Sequence, residues 1–276
     1  MSKARGEPNP LHMRQAEPAG PFFLPPQECT IRRRDWLQRT NRILTTYADL
    51  LALASEGYRS YTRAVKEARI QPKTRVRIRI DGKSFHSSYK LLLAAFPLSA
   101  GQLANQVFTL IYGNLEAYLA DILSDALELE GSDDPLQDAI SLVTGTRWEG
   151  KFSRISNRLH IPLGKADLTA LYKDITIEFF GIQSTDPVAF VQAIADLRHR
   201  IVHSAGRADA KFLAAYPQAD FRVGDLIEIP PASPFDLQFA FLPLTEHFDR
   251  VLSAKYGWKR TLEDPAKLVD PLLLTA

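Results

Sequence analysis

Asp186-Pro187-Val188-Ala189-Phe190-Val191-Gln192-Ala193-Ile194-Ala195-Asp196-Leu197-Arg198-His199-Arg200-Ile201-Val202-His203-Ser204-Ala205-Gly206 is the stretch that decides how this chain folds. Asp186 before Pro187 is a helix start, with a side-chain acceptor at the cap and a residue of fixed φ in the first helical position. Phe190, Ile194, Leu197 and Ile201 recur at steps of four, three and four, which marks one buried stripe of an amphipathic helix. Gly206 is placed to end the helix or the turn after it. The final turn carries Arg198, His199, Arg200 and His203, a concentration of polar chemistry that packing does not require.

The flanking segments extend the helical pattern in both directions. Upstream, Leu168, Leu171, Tyr172, Ile175, Ile177 and Phe180 predict an amphipathic helix over 167–180. Downstream, the run 208–219 has no clear period, and 221–229 predicts a short strand pair turning at Gly224-Asp225. Ser233-Pro234 opens a last helix with Leu237, Phe241, Leu244, Phe248 and Val251 on one face, and Pro243 predicts a kink in it.

A second strong helix comes after Ser99-Ala100-Gly101, with Leu103, Val107, Leu110, Ile111, Leu115, Tyr118, Leu119, Ile122, Leu123 and Ala126 forming a broad apolar face. Glu116 lies within this pattern, where a carboxylate calls for a partner and an arginine is the expected one. Asp121 and Asp125 form an exposed row. Residues 135–143 predict a short helix after the break at 131–135. The stretch 144–164 is mixed, with Lys151, Arg154 and Arg158 recurring on one side.

Nearer the N-terminus a long helix is predicted from Thr30, with Trp36, Ile43, Tyr47, Leu51, Ala54, Tyr58, Tyr61 and Val65 along one face. Arg32, Arg33 and Arg34 stand where the helix dipole disfavours cations, and are expected to face solvent or a partner. Arg75-Val76-Arg77-Ile78-Arg79-Ile80 alternates strictly and runs into Asp81-Gly82. This predicts a strand and tight turn with Val76, Ile78 and Ile80 inward. The three outward arginines suit either a phosphate track or protection of an exposed strand from edge pairing.

The ends read differently. Six prolines before Cys29 predict a flexible arm over 1–29, in which Phe22, Phe23 and Leu24 form an apolar triplet able to dock. The body is one mainly α domain over 30–258 with short strand excursions, and 259–276 is a tail. No repeat divides it. With 276 residues, 45% of them hydrophobic, the chain can bury one good core or at most two small ones. A net charge of +2 excludes a general polyanion binder, so any nucleic-acid contact rests on local clusters. The single cysteine, Cys29, excludes an internal disulfide and suits a reducing cytoplasm. The most apolar run, 91–96, is too short to span a bilayer, and no membrane association is expected.

Histidine suits proton transfer near neutral pH, and arginine is a permanent planar donor to phosphate oxygens. Together they suffice to cleave RNA without metal: the ribose 2′-OH attacks, histidine moves the proton, and arginine stabilises charge on the phosphorane. A neighbouring arginine would also lower the pKa of His203 and favour the neutral base. Five residues along a regular helix turn the direction by about 500°, so Arg198 and His203 diverge by about 140°. Convergence then requires a helix end at His203 or a second copy of the chain. Two other readings stay open: a cationic helix end complementing the dipole, and a zinc site on His199 and His203. Against zinc, no catalytic glutamate or cysteine accompanies the pair, and His12, His86, His160 and His247 are not in ligand spacing.

Leu197-Arg198-His199-Arg200-Ile201-Val202-His203-Ser204-Ala205-Gly206 resembles the signature of the HEPN superfamily, in which an arginine and a polar residue precede a histidine at a helix end. Asn114-Leu115-Glu116-Ala117-Tyr118-Leu119 is similar to the family's earlier helix. Gly224-Asp225-Leu226-Ile227-Glu228-Ile229 and the long final helix resemble the segment after the motif in the RiboL-PSP-HEPN-like branch. The likeness covers 103–256. His199 stands where Asn is usual, and Ser204 comes directly after the histidine. The resemblance implies a HEPN-like helical bundle that forms a homodimer around two facing motifs and cleaves RNA without cofactor or metal. It implies Arg198 and His203 as the catalytic pair, with His199, Glu116 and Arg200 supporting catalysis or substrate binding. It further implies a toxin or phage-defence effector, restrained by an antitoxin or regulatory protein. Some members are instead inactive RNA- or nucleotide-binding or scaffold domains.

Overall fold

The computed structural model describes residues 27–67, 71, 73–80, 83–144, 147–173, 178–179, 182–183, 186–203, 206–217 and 221–263. In chain order these form β1 (Gln27–Cys29), α1 (Ile31–Lys66), β2 (Arg75–Ile80), β3 (Lys83–Ser88) and α2 (Tyr89–Leu129). They continue with α3 (Pro135–Val143), α4 (Trp148–Leu159), α5 (Lys165–Leu171), β4 (Glu178–Phe179) and β5 (Ile182–Gln183). The last are α6 (Pro187–His203), α7 (Ala210–Ala215), α8 (Ser233–Tyr256) and β6 (Thr261–Glu263). The protein is mainly helical, and among the described residues the strands form three separate two-stranded antiparallel ladders. Among the described residues no helix is long and apolar enough to cross a membrane.

Helix α2 is the axis, packing against α1, α3, α6 and α8. Phe108, Ile111, Leu115, Leu119, Ile122 and Leu123 on it are fully buried, so that residues from more than one side of the cylinder meet a neighbour. From α6 come Phe190, Ile194 and Leu197, and from α8 Leu237, Phe241, Leu244 and Phe248, all buried. Each such side chain contributes about 1.5–3 kcal/mol on burial, and trimming Phe241 to Ala would cost about 3–5 kcal/mol. The expected stripe of α6 is therefore the one the core uses. Helix α8 continues on both sides of Pro243.

Several elements differ from the sequence expectation. Helix α2 begins at Tyr89, capped by Ser88, and runs through the Ser99-Ala100-Gly101 break. A lone glycine weakens a helix by only about 1 kcal/mol, and Gly101 lies against Glu228, whose Cβ would be 3.4 Å from a Cβ placed there. The mixed stretch after Thr144 contains α4, which buries Trp148, Phe152, Ile155 and Leu159. The helix expected over 167–180 is only α5, and the chain has turned into the β4–β5 pair by Glu178. Segment 221–229 makes the expected turn, with Asp225 N–H donating to the Arg222 carbonyl at 3.0 Å, but forms no strand pair of its own. Leu226 bridges Arg207, and Ile227 N–H donates to the Gly206 carbonyl at 2.6 Å.

The three arginines at the start of α1 are not a solvated basic patch. Arg32 pairs with Asp125 through two hydrogen bonds of 2.6 and 2.7 Å, which also removes Asp125 from the exposed acidic row. Arg33 is almost wholly buried and pairs with Glu246, and Arg34 lies 3.5 Å from Glu263. Internal carboxylates outweigh the dipole penalty here. The last residues placed in the arm and the first of the tail are ordered against each other. Gln27, Glu28 and Cys29 of β1 pair with Glu263, Leu262 and Thr261 of β6. Asp249, fully buried, accepts from the Thr30 amide and hydroxyl and, at 3.0 Å, from Arg260 Nε. Burial pushes the Cys29 thiol up to about 11, so it sits there as a neutral core group. The strand and turn expected at Arg75 is a hairpin in register from Arg75 against Ser88 to Ile80 against Lys83. The Phe22-Phe23-Leu24 triplet lies outside the described residues, and of Val76, Ile78 and Ile80 only the backbone is described.

Candidate functional site

Helix α6 starts as its sequence requires. The Asp186 side chain accepts from Ala189 N–H at 3.2 Å, and Lys165 Nζ lies 2.9 Å from the same carboxylate. The lysine's hydrogen bond holds the Asp186 carboxyl below the usual carboxylate value. The helix runs regularly to His203. Its end is held by a relay from α2. Asn105 donates to the Ile227 carbonyl at 2.8 Å and accepts from Ile229 N–H at 2.9 Å. Ile227 holds Gly206, and Gly206 N–H returns to the Arg200 carbonyl at 3.1 Å. Gly206 has φ +68°, a left-handed turn that favours glycine, and this is where the chain reverses after the motif.

Arg198 faces inward. Its guanidinium lies over the Tyr112 ring, 5.8 Å from the centroid, and its buried Nε has no hydrogen-bond partner among the described residues. Tyr112 accepts at its hydroxyl from Trp148 Nε1 at 2.9 Å, which fixes the ring beneath the arginine. Burial, with Glu116 adding to it, pushes the Tyr112 phenol well above its ordinary value, so it remains protonated. Lys151 sits over the Trp148 ring at 4.5 Å, its Nζ 3.7 Å from Glu116. The partner of Glu116 is thus a lysine and not the expected arginine. Burial lowers the Lys151 pKa; Glu116 opposes that shift, while Arg154 and Arg198 reinforce it. Helices α2, α4 and α6 together hold two cations, one carboxylate and two aromatic rings in a single cluster.

The histidines face the other way. His199 and His203 are exposed, their ring centroids 4.7 Å apart, as expected for positions four residues apart on one face. Arg200 is engaged elsewhere, in an ion pair with Asp209 beside α7, and supports the turn after the motif. Arg198 and His203 therefore belong to different sides of α6, as the helical rotation requires. Among the described residues no three His, Cys, Asp or Glu side chains gather as a metal-ligand group.

The structure thus places Arg198 and Glu116 in one cluster through Tyr112 and Lys151, sets His199 beside His203, and assigns Arg200 to Asp209. Tyr112, Lys151, Asn105 and Asp209 are the site residues that sequence reasoning missed. Tyr112 stands one helical turn before Glu116, and Asn105 is a polar residue on the same helix. Those spacings were the available signals. Comparison of the chain with protein-family models, with curated proteins and with solved structures gives no match.

Proposed function

We propose that this chain is a metal-independent RNA endonuclease, acting in the cytoplasm as a toxin or phage-defence effector under the control of an antitoxin or regulatory protein. The observation that carries this reading is the difference between the two arginines of the motif. Arg200 is neutralised by Asp209, whereas Arg198 is held on an aromatic face with its Nε lacking an acceptor among the described residues. Trp36 Nε1 in the core is in the same state, but Arg198 combines it with a permanent charge in the motif. A phosphate oxygen is the acceptor it suits.

In the proposed reaction the 2′ oxygen forms a bond to phosphorus and the bond from phosphorus to the 5′ oxygen breaks. His203, exposed at the helix end, takes the 2′ proton, and the departing 5′ oxygen receives a proton in return. Arg198 stabilises the charge on the phosphorane. Since the two side chains leave α6 in different directions, a two-fold partner supplies the complement at each site. RNA incubated with the protein in EDTA should yield cyclic or 3′-phosphate and 5′-hydroxyl ends, and RNA methylated at the 2′ oxygen should resist. His203→Ala should lower the rate by a factor on the order of 10²–10⁴. Undiminished cleavage by His203→Ala, or loss in EDTA reversed by zinc, would reject the mechanism. Binding of RNA without cleavage would favour an inactive binding domain.

A further inference from the structure

Along α6 the residues Gln192, Asp196, His199 and His203 succeed one another at steps of four, three and four. They form a polar stripe distinct from the buried one. Two hollows open along it. A cleft of about 560 Å³ lies between α4, α5 and α6, and a second of about 390 Å³ continues it to His199. They share walls at Arg147, Gln192, Asp196 and Tyr216, so Gln192, Asp196 and His199 floor one groove, and His203 follows one turn beyond on the same face. Its two ends differ in charge. The shared wall carries Arg147 and Asp196; the His199 end adds Lys211, which has no ion pair among the described residues, and the far end adds Glu149, with Lys165 neutralised by Asp186.

We infer that this groove holds one nucleotide of the RNA strand beside the scissile phosphate, and that its base is guanine. The inference rests on the ribonuclease reading above and adds to it a substrate preference. A nucleotide carries the complementary polarity, with phosphate toward Lys211 at the His199 end and base at the shared wall, where Asp196 stands, on the side toward Glu149. The volume falls in the range of sites for small ligands. Asp196 selects the base. One of its oxygens accepts from Gln192 Nε2 at 2.8 Å and the other from the Tyr216 hydroxyl at 2.6 Å. These two bonds fix the carboxylate and leave further acceptor capacity on each oxygen. Guanine offers two adjacent donors on its Watson–Crick edge, which a carboxylate accepts side by side. Uracil offers one donor between two carbonyls, and adenine and cytosine an amino group beside a bare ring nitrogen.

The experiment has a cleavage arm and a binding arm. With the full chain, ends mapped on a mixed-sequence RNA should lie next to guanosine. Asp196→Asn, which keeps shape and the Tyr216 contact but exchanges an acceptor for a donor, should reduce that preference about tenfold. In calorimetric titrations guanosine monophosphate should bind the wild-type chain more tightly than uridine monophosphate, and Asp196→Asn and the surface variant Lys211→Ala should each weaken it. A guanosine-centred trinucleotide should bind more tightly than the mononucleotide. Cleavage with no base preference, and nucleotide binding unmoved by either variant, would overturn the groove and leave the nuclease reading intact. Variant-sensitive nucleotide binding without any RNA cleavage would support the groove and reject the nuclease. Tighter binding of the free nucleotide than of the trinucleotide would overturn its assignment to the RNA strand.

Discussion

The guanidinium of Arg198 lies 5.8 Å from the ring centroid of Tyr112, on the face of α6 that turns away from the exposed imidazole of His203. A positive charge over an aromatic face is attracted to the ring without losing its hydrogen-bond donors, so Arg198 is oriented while still able to donate. The same contact accounts for the geometry of the motif: one member is held against the body and the other is left at the surface.

Arg198→Ala and Arg198→Lys should therefore separate catalysis from folding. Both should lower RNA cleavage by a factor on the order of 10²–10³, because a compact ammonium does not reproduce the planar donor set. Thermal unfolding should be little changed, since the guanidinium meets a ring face and its Nε bonds to none of the described residues. Wild-type cleavage by Arg198→Lys would make Arg198 a packing residue.

If each site draws on two copies of the chain, a mixture of Arg198→Ala and His203→Ala subunits should recover part of the activity each lacks alone. Light scattering at micromolar concentration should give the mass of two chains. A fully active monomer would contradict both expectations.

Arg200 and Asp209 should behave as a structural pair. Arg200→Ala should lower stability by about 1 kcal/mol in urea titrations, Asp209→Ala by more because Asp209 also caps α7 through Phe212 N–H, and the double variant by less than the sum. Additive losses would show that the two side chains act independently.

The pairing of Asp186 with Lys165 makes a pH prediction. The folded carboxyl titrates below its ordinary value of 3.8, chiefly through the lysine's hydrogen bond. Its stabilisation is complete above that value and is lost as pH falls through the lower folded one. Asp186→Asn preserves the helix cap but removes this titration. Urea midpoints measured from pH 6 to pH 2 should fall more steeply in the wild type than in the variant, and parallel curves would refute the linkage.

The elements set by local chemistry were legible in the sequence. Asp186-Pro187 and Thr30 start helices as their residue types require, Pro234 stands in the first turn of α8, and the apolar stripe of α6 is the buried one. Helix α4 was legible too, since Trp148, Phe152, Ile155 and Leu159 step by four, three and four, but its basic residues obscure that stripe. Pairing at long range is the part that a single chain pattern does not reveal. Arg33 pairs with Glu246, Glu116 with Lys151, and 226–227 with 206–207, each across elements far apart in the chain or through a loop no periodicity marks. The site shows the same division. Helical rotation alone separates Arg198 from His203, whereas the ring beneath Arg198 comes from a helix some eighty residues earlier.

The pairing of β1 with β6 has a mechanical consequence. Gln27 lies opposite Glu263 at the outer end of the ladder, while Cys29 and Thr261 lie at the inner end, next to the helices. A load drawing the two ends of the body apart meets the ladder one rung at a time, beginning at Gln27, and not all at once along its length. Resistance rises only when the tension reaches Thr30 and Arg260, which are tied to the same buried carboxylate of Asp249. Thr30 at the start of α1 and Arg260 after α8 thus share one anchor inside the bundle, so traction on the ladder is passed to a single buried carboxylate.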